Sequence, residues 1–317
     1  MFEKAAWLLI LALAVACVSS PVGDDGRLLP GDHKRTLDHG GRARTYYLRV
    51  PPTVTSGVPL PVVFMFHGAA INAKWFKDVV ELEDLADREG FVAVFPDGTG
   101  NVPFLHTWNA GNCCRYASEN NVDDVGFTLA LLEQLAALLR VDRNRVYAAG
   151  WSNGAMLAYR LACEHAEVFA AVGGVAGATG GSTCAPSRPM PVVHIHGTHD
   201  EFAPYAGGVG AKSRVNITHR GVESLMKMWR GLDGCAGEGV AEQLPDRDPG
   251  DGLRVRKTTW TECAGRRGDR PLRRGRRRPQ LARPRHHARQ QTRPRHPRHR
   301  RRRRALGILR KAQKNDH

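Results

Sequence analysis

The stretch Gly150-Trp151-Ser152-Asn153-Gly154 holds a serine with a glycine two positions away on either side. A serine hydroxyl is a poor nucleophile unless the backbone lifts it on a tight turn beside a base and a helix N-terminus. Small residues two positions away leave room for that turn, so Ser152 is the candidate nucleophile of an acyl transfer. About 85 residues upstream, the apolar run PLPVVFMF ends in His67-Gly68-Ala69-Ala70. A backbone N–H there, from Ala69 or alternatively Ala70, would join the N–H of Asn153 in holding a developing oxyanion. His67 itself reads as structural. Downstream, Asp200 follows the run PVVHI. It is the candidate carboxylate that orients a catalytic imidazole, in the chain order Ser, Asp, His. One aspartate in a turn is ordinarily a cap, and only its company with the other two motifs favours the catalytic role.

These residues need a rigid frame. RTYYLRVPP, PLPVVFMFHG, FVAVFPDGTG, RVYAAG, VFAAVGGVAG and MPVVHIHGTHD read as strands. VVELEDLADREG, VDDVGFTLALLEQLAALLRVD, NGAMLAYRLACEH and VESLMKMWRGL carry helical spacing. Continuous apolar strands alternating with helices predict a mostly parallel sheet covered on both faces. Asp123 and Asp124 stand at a helix start, where the plain reading is capping.

The N-terminal MFEKAAWLLILALAVAC has one Lys and then an apolar run too short to span a bilayer, as an export signal does. Ala14-Val15-Ala16 suits a cleavage site, and LAVAC also resembles a lipobox that would make Cys17 a lipidated N-terminus, the only membrane attachment expected. The other six cysteines suggest disulfides in an exported chain. Neighbours in sequence suggest Cys163 with Cys184 and Cys235 with Cys263, leaving Cys113 and Cys114. No pattern has convincing metal spacing, and His194 and His196 read as packing on a strand. No metal or organic cofactor is expected.

The motifs HGAA, FPDGTGN, WNAGNCC, NNVDDVGF, GWSNGAML and HGTHDEFAPY together resemble the polyhydroxybutyrate-depolymerase-like esterases, relatives of feruloyl and acetylxylan esterases. The resemblance covers residues 35–265. It implies an α/β-hydrolase fold, Ser152 as nucleophile, Asp200 as triad acid, WNAGNCC as a loop beside the site, and an ester substrate. Residues 1–17 are then the export signal and 18–34 a linker. In this family the catalytic histidine lies in a GGGHSWPG or GGGHTWPG segment near the C-terminus. No such segment exists here.

What stands in its place is basic. The formal net charge is +16, from 47 Lys and Arg against 31 Asp and Glu. Residues 266–317 hold 22 of the basic residues and two aspartates, which leaves 25 basic and 29 acidic residues before them. The body is mildly acidic and the high pI belongs to the tail. Such a tail reads either as a polyanion-binding arm on a non-catalytic hydrolase fold or as DNA translated out of frame. Residues 266–304 hold 19 Arg in 39 positions, and no Lys occurs between Lys257 and Lys311. Arg, Pro, Ala and Gly are what GC-rich DNA yields in a wrong frame. Read one nucleotide later, permitted codons for 266–288 give GATALYAVEGGGHSWPGPATTP, and those for 292–311 give RPARDTRDIDADAARWEFCEK. The first is a strand followed by the family's histidine motif, and the second is a terminal helix. A frameshift after about Gly265 is therefore expected, with the histidine codon straddling Pro279 and Gln280 and with no nucleic-acid partner. The Arg-rich segment itself should be disordered. His286 and His287 follow Asp200, but a base on such an arm lacks the required geometry.

Overall fold

A computed structural model describes residues 23, 26–178, 183–213 and 217–264. Cys17, His286, His287 and the Arg-rich tail lie outside the described residues. The chain begins with β1 (Gly31–His39), β2 (Arg42–Val50) and β3 (Leu60–Phe66), followed by α1 (Ala73–Val80) and α2 (Glu83–Glu89). After β4 (Val92–Pro96) come α3 (Arg115–Glu119), α4 (Asp124–Leu138), β5 (Val141–Trp151) and α5 (Asn153–Glu164). The remaining elements are β6 (Ala171–Val175), β7 (Val192–Ile195), α6 (Val222–Leu232), β8 (Val240–Gln243) and β9 (Arg256–Thr259).

Seven strands form one sheet in the order β1-β2-β4-β3-β5-β6-β7, and β8 and β9 pair separately. β4, β3, β5, β6 and β7 run parallel, while β1 and β2 join antiparallel at one edge. The central strands earn their place through side chains that are apolar in both directions. On one face Leu48, Val94, Phe64, Ala148 and Val172 pack against Phe127, Leu131 and Leu135 of α4, Leu157 and Leu161 of α5 and Trp229 of α6. On the other, Ala93 and Phe95 meet Ala73 and Phe76 of α1 and Ala86 of α2. The alternation of apolar runs predicts this mostly parallel sheet, and its strand order is the α/β-hydrolase arrangement that the resemblance implies.

The structure alters three expectations. β1 begins at Gly31, inside the stretch 18–34 read as a linker. GDHKRTLDH carries no apolar alternation, yet it pairs residue for residue with β2, from Gly31↔Val50 to His39↔Arg42. An outer strand is held by its ladder of backbone bonds and needs little burial. The helix expected from Val79 begins at Glu83, because Glu81 takes a left-handed conformation that ends α1. Asp123 caps α4 by accepting from Gly126 N–H at 2.8 Å, but Asp124 is no cap. It is fully buried, accepts from Arg44 at 2.6 Å and from Asn109 N–H at 2.7 Å, and so ties β2 and α4 to the WNAGNCC loop. Sulfurs of Cys163 and Cys184, of Cys235 and Cys263, and of the adjacent Cys113 and Cys114 are at bonding contact, the first two in the pairing expected.

Candidate active site

Ser152 sits between β5 and α5 with φ 54° and ψ −117°, a conformation that L residues rarely adopt. Its neighbours hold the strain. Ser152 N–H donates to Val175 O at 2.8 Å, and Ser152 O accepts from Met156 N–H at 3.1 Å. The flanking glycines allow backbone to touch backbone: a Cβ on Gly150 would lie 2.4 Å from Gly154 C, and one on Gly154 only 2.2 Å from Phe66 O. Neither obstacle is a side chain that can swing away. Gly154→Ala is expected to cost about 3 kcal/mol or more, whereas Gly197→Ala, with nothing within 4 Å, should cost under about 0.5 kcal/mol. Paired urea melts of the two variants check this.

β3 ends beside the serine. A Cβ on Gly68 would stand 3.5 Å from Ser152 Cβ. His67 is fully buried, and its Nε2 accepts from Gly98 N–H at 2.9 Å. The ring proton is thereby assigned to Nδ1, which donates to Gly68 O at 2.7 Å. That bond fixes the Gly68–Ala69 peptide plane, and with it the direction of Ala69 N–H. Of the two expected donors, Ala70 is already spent, since its N–H goes to His106 O at 2.9 Å. Ala69 N–H and Asn153 N–H make no hydrogen bond among the described residues. Behind this loop, burial raises the Asp97 carboxyl, but hydrogen bonds from His106 Nδ1 at 2.9 Å and Ala73 N–H at 3.0 Å outweigh it and hold the group below the usual range.

Asn153 has a second task. Its Oδ1 accepts from Trp108 N–H at 2.7 Å and its Nδ2 donates to Trp108 O at 3.1 Å, a two-point clamp on the WNAGNCC loop. The Trp108 ring donates to His67 O at 2.9 Å and stacks edge-on against Phe66. The expected loop beside the serine is therefore anchored to both β3 and α5.

Asp200 follows β7. Its Oδ1 accepts from Phe202 N–H and Ala203 N–H, each at 2.9 Å, which is the plain turn role. Its Oδ2 is spare: it stands 3.5 Å from His196 Nε2, whose proton is directed to Ala203 O at 2.6 Å. Trp151 pairs in register with Val175 and Val175 with Ile195, so Ser152 and Asp200 leave the same end of the sheet two strands apart. Strand spacing sets the ends of β5 and β7 roughly 10 Å apart.

His194 and His196 join in a hydrogen-bonded chain. With the His196 proton on Nε2, His196 Nδ1 accepts from His194 Nε2 at 3.1 Å, and His194 Nδ1 accepts from Tyr159 O–H at 2.7 Å. Burial, aided by the charge of His196, pushes His194 down to about 4 from 6.5. A histidine depressed in the folded state stabilises above its unfolded value, and that stability is lost as pH falls through the folded value. Stability is therefore expected to drop by up to about 3 kcal/mol between pH 6.5 and 4. His194→Asn should flatten that slope in denaturant melts across the range.

Sequence reading passed over His219, because THRG carries no spacing signal. The structure buries it, leaves its Nδ1 without a partner, and sets it within reach of the charge of Asp200. A cleft of about 470 Å³ on α6, lined by Glu223, Lys227, Arg230, Gly231 and Cys235, touches none of these residues.

The sheet order and the strained serine turn define an α/β-hydrolase. The crystal structure of a thermostable esterase superposes with a TM-score of 0.50 at 19% identity, covering 63% of this chain and 52% of that one, which speaks for the fold. The profile described as Esterase PHB depolymerase matches residues 44–224, more than half of the sequence, and the chain belongs to that family. Feruloyl esterase B of Piromyces equi is 29% identical over 201 residues, 62% of this chain and 36% of that protein. Putative esterase NocK of Nocardia uniformis subsp. tsuyamanensis is 33% identical over 172 residues, 53% of this chain and 48% of that protein. The chain thus spans between about a third and a half of the length of these two relatives.

Proposed function

We propose that this protein descends from an exported serine esterase that cleaves carboxylic esters of the polyhydroxyalkanoate, feruloyl or acetyl type through an acyl-enzyme. The observation that carries this reading is Ser152 on a strained turn, flanked by two unspent backbone donors, Ala69 N–H and Asn153 N–H. Ser152 Oγ attacks the ester carbonyl while an imidazole takes its proton. The two N–H groups hold the oxyanion of the tetrahedral intermediate, each worth about 3 kcal/mol to the transition state. The C–O bond to the alcohol then breaks, and the imidazole returns the proton to the departing oxygen. Water repeats the sequence on the acyl-serine and releases the acid. In this reading Asp200 Oδ2 orients that imidazole and stabilises its cation.

The base is what the present chain lacks. A frameshift after about Gly265 moves the histidine codon to straddle Pro279 and Gln280, and the serine is left almost inert. Export, either by secretion after cleavage at Ala14-Val15-Ala16 or with Cys17 as a lipid anchor, follows from the N-terminal signal. The test is covalent labelling by a fluorophosphonate, read by peptide mass. The chain with one nucleotide removed at codon 266 should be labelled on Ser152, and its Ser152→Ala variant should not. Label on another residue, or none on a folded and frame-restored chain, would end the reading.

A second reading makes His219 the base. In its favour, His219 follows Asp200 in the chain, carries a buried ring nitrogen that makes no hydrogen bond among the described residues, and feels the charge of Asp200. It requires the present chain to turn over esters and His219→Asn to abolish that turnover.

A further inference from the structure

Helix α6 buries Leu225 and Trp229 in the main core. Glu223, Lys227, Arg230 and Gly231 follow one another at i, i+4, i+7 and i+8, along a different side of the same helix. With Cys235 they line an open cleft of about 470 Å³, a size in the range of small-molecule sites. The segment after the helix braces it. Cys235 N–H donates to Arg230 O at 2.9 Å, and Arg230 Nη2 donates to Gly237 O at 3.0 Å. The Arg230 guanidinium stands 4.9 Å from the centre of the Trp260 ring.

The polar groups gathered here are donors. Arg230 Nε and, on the ring beside it, Trp260 Nε1 are buried and make no hydrogen bond among the described residues. The Lys227 ammonium has no partner among them either. Arg256, also without one, stands close enough to act on the Tyr205 hydroxyl. The one carboxylate that lines the cleft, Glu223, already accepts from that hydroxyl at 2.5 Å. Three cations against one engaged carboxylate make the spot positive, on a body of 25 basic and 29 acidic residues that is mildly acidic. Buried donors are seldom left unpaired, and a guanidinium fork beside an ammonium matches the oxygens of an anion. Gly231 points the same way. It lies in the last turn of α6 without a positive φ, and a Cβ there would meet nothing within 4 Å. Neither backbone conformation nor packing within the chain calls for glycine, a poor helix residue, at that place. A ligand resting on the helix would.

We propose that this cleft binds the oxyanionic group of a small molecule, a phosphate, sulfate or carboxylate. Lys227 supplies the ammonium, Arg230 the guanidinium fork with its free Nε, and Gly231 the open floor. The cleft shares no residue with the Ser152 turn, so the inference stands whether or not the chain hydrolyses esters.

The test titrates the full chain with inorganic phosphate and, separately, with glucuronate at fixed ionic strength. The readings are the amide resonances of Gly231 and Cys235 and the indole N–H of Trp260. At least one of the two anions should shift them saturably. Lys227→Glu should weaken that binding about tenfold or more. Its melting midpoint should stay within about 2 °C of the parent, because Lys227 has no partner to lose. Gly231→Leu fills the cleft and keeps every charge; it should abolish the saturable shifts while the midpoint holds or rises. Lys74→Glu, the same change of charge on α1, should leave the binding as it was. Saturation by phosphate alone assigns a phosphate-bearing or sulfate-bearing ligand, and saturation by glucuronate assigns a carboxylate. Shifts that never saturate with either anion overturn the proposal. So does an equal response in the parent and in Lys227→Glu, which would assign the anion to the basic tail.

Discussion

Removal of one nucleotide at codon 266 is expected to raise kcat on a simple aryl ester by about 10⁴ or more over the present chain. The gain has two parts that separate cleanly. Reversion of the restored histidine to asparagine keeps the added strand and helix but removes the proton acceptor, and should return turnover to the level of the present chain. Ser152→Ala in the restored chain should fall to the same floor. Joining the two changes should cost little more than either alone, because nucleophile and base act as a unit. A residual rate above the uncatalysed reaction is expected, since on the proposed mechanism Ala69 N–H and Asn153 N–H would still polarise the carbonyl. Steady-state kinetics on the four chains reads every step. A restored chain no faster than the present one, although folded, contradicts the frameshift account.

The largest stability effect is expected at Asp124. Arg44 and Asp124 are both buried and stand 2.6 Å apart, with the Arg44 guanidinium 4.0 Å over the Phe127 ring. Burial raises the Asp124 carboxyl, while Arg44 and Asn109 N–H pull it back. Asp124→Ala leaves a buried guanidinium with no counter-charge and should cost about 3–5 kcal/mol, a fall of roughly 10 °C or more in Tm. Arg44→Met should cost a similar amount. The double variant should be less damaged than the sum of the two, because removing both charges removes the unpaired one. Differential scanning calorimetry of the three variants measures this. A loss below about 1 kcal/mol for Asp124→Ala would show that water reaches the pair. Asp124 also holds Asn109 N–H, so loosening it should free the WNAGNCC loop from Asn153 and lower kcat in the restored chain.

Much of this was legible in the residues, and the parts that were not share physical reasons. Gly150 and Gly154 announce the serine turn because close backbone approach leaves no other residue type room. VESLMKMWRGL announces α6 because its apolar stripe has to face the sheet. β1 was hidden, since an outer strand of charged residues shows no alternation. Asp123 and Asp124 look alike in sequence; only the turn of α4 sends one to its cap and the other into the core. The choice of Ala69 over Ala70 rests on a hydrogen bond to His106, 36 positions later, which no local pattern encodes. His219 is a lone histidine in a loop, and loops carry no periodicity from which burial could be read. The tail lies outside the described residues, so the frameshift reading of it rests on composition alone.

The central claim is that a histidine encoded across Pro279 and Gln280 was built to deprotonate Ser152. The most direct measurement is a rapid-quench experiment on the frame-restored chain with a p-nitrophenyl ester. The account predicts a burst of one p-nitrophenol per chain, with the acyl mass on the peptide containing Ser152 and no burst once the restored histidine becomes asparagine. Fast turnover of the present chain with its acyl group carried elsewhere, or a burst that survives loss of that histidine, would contradict it.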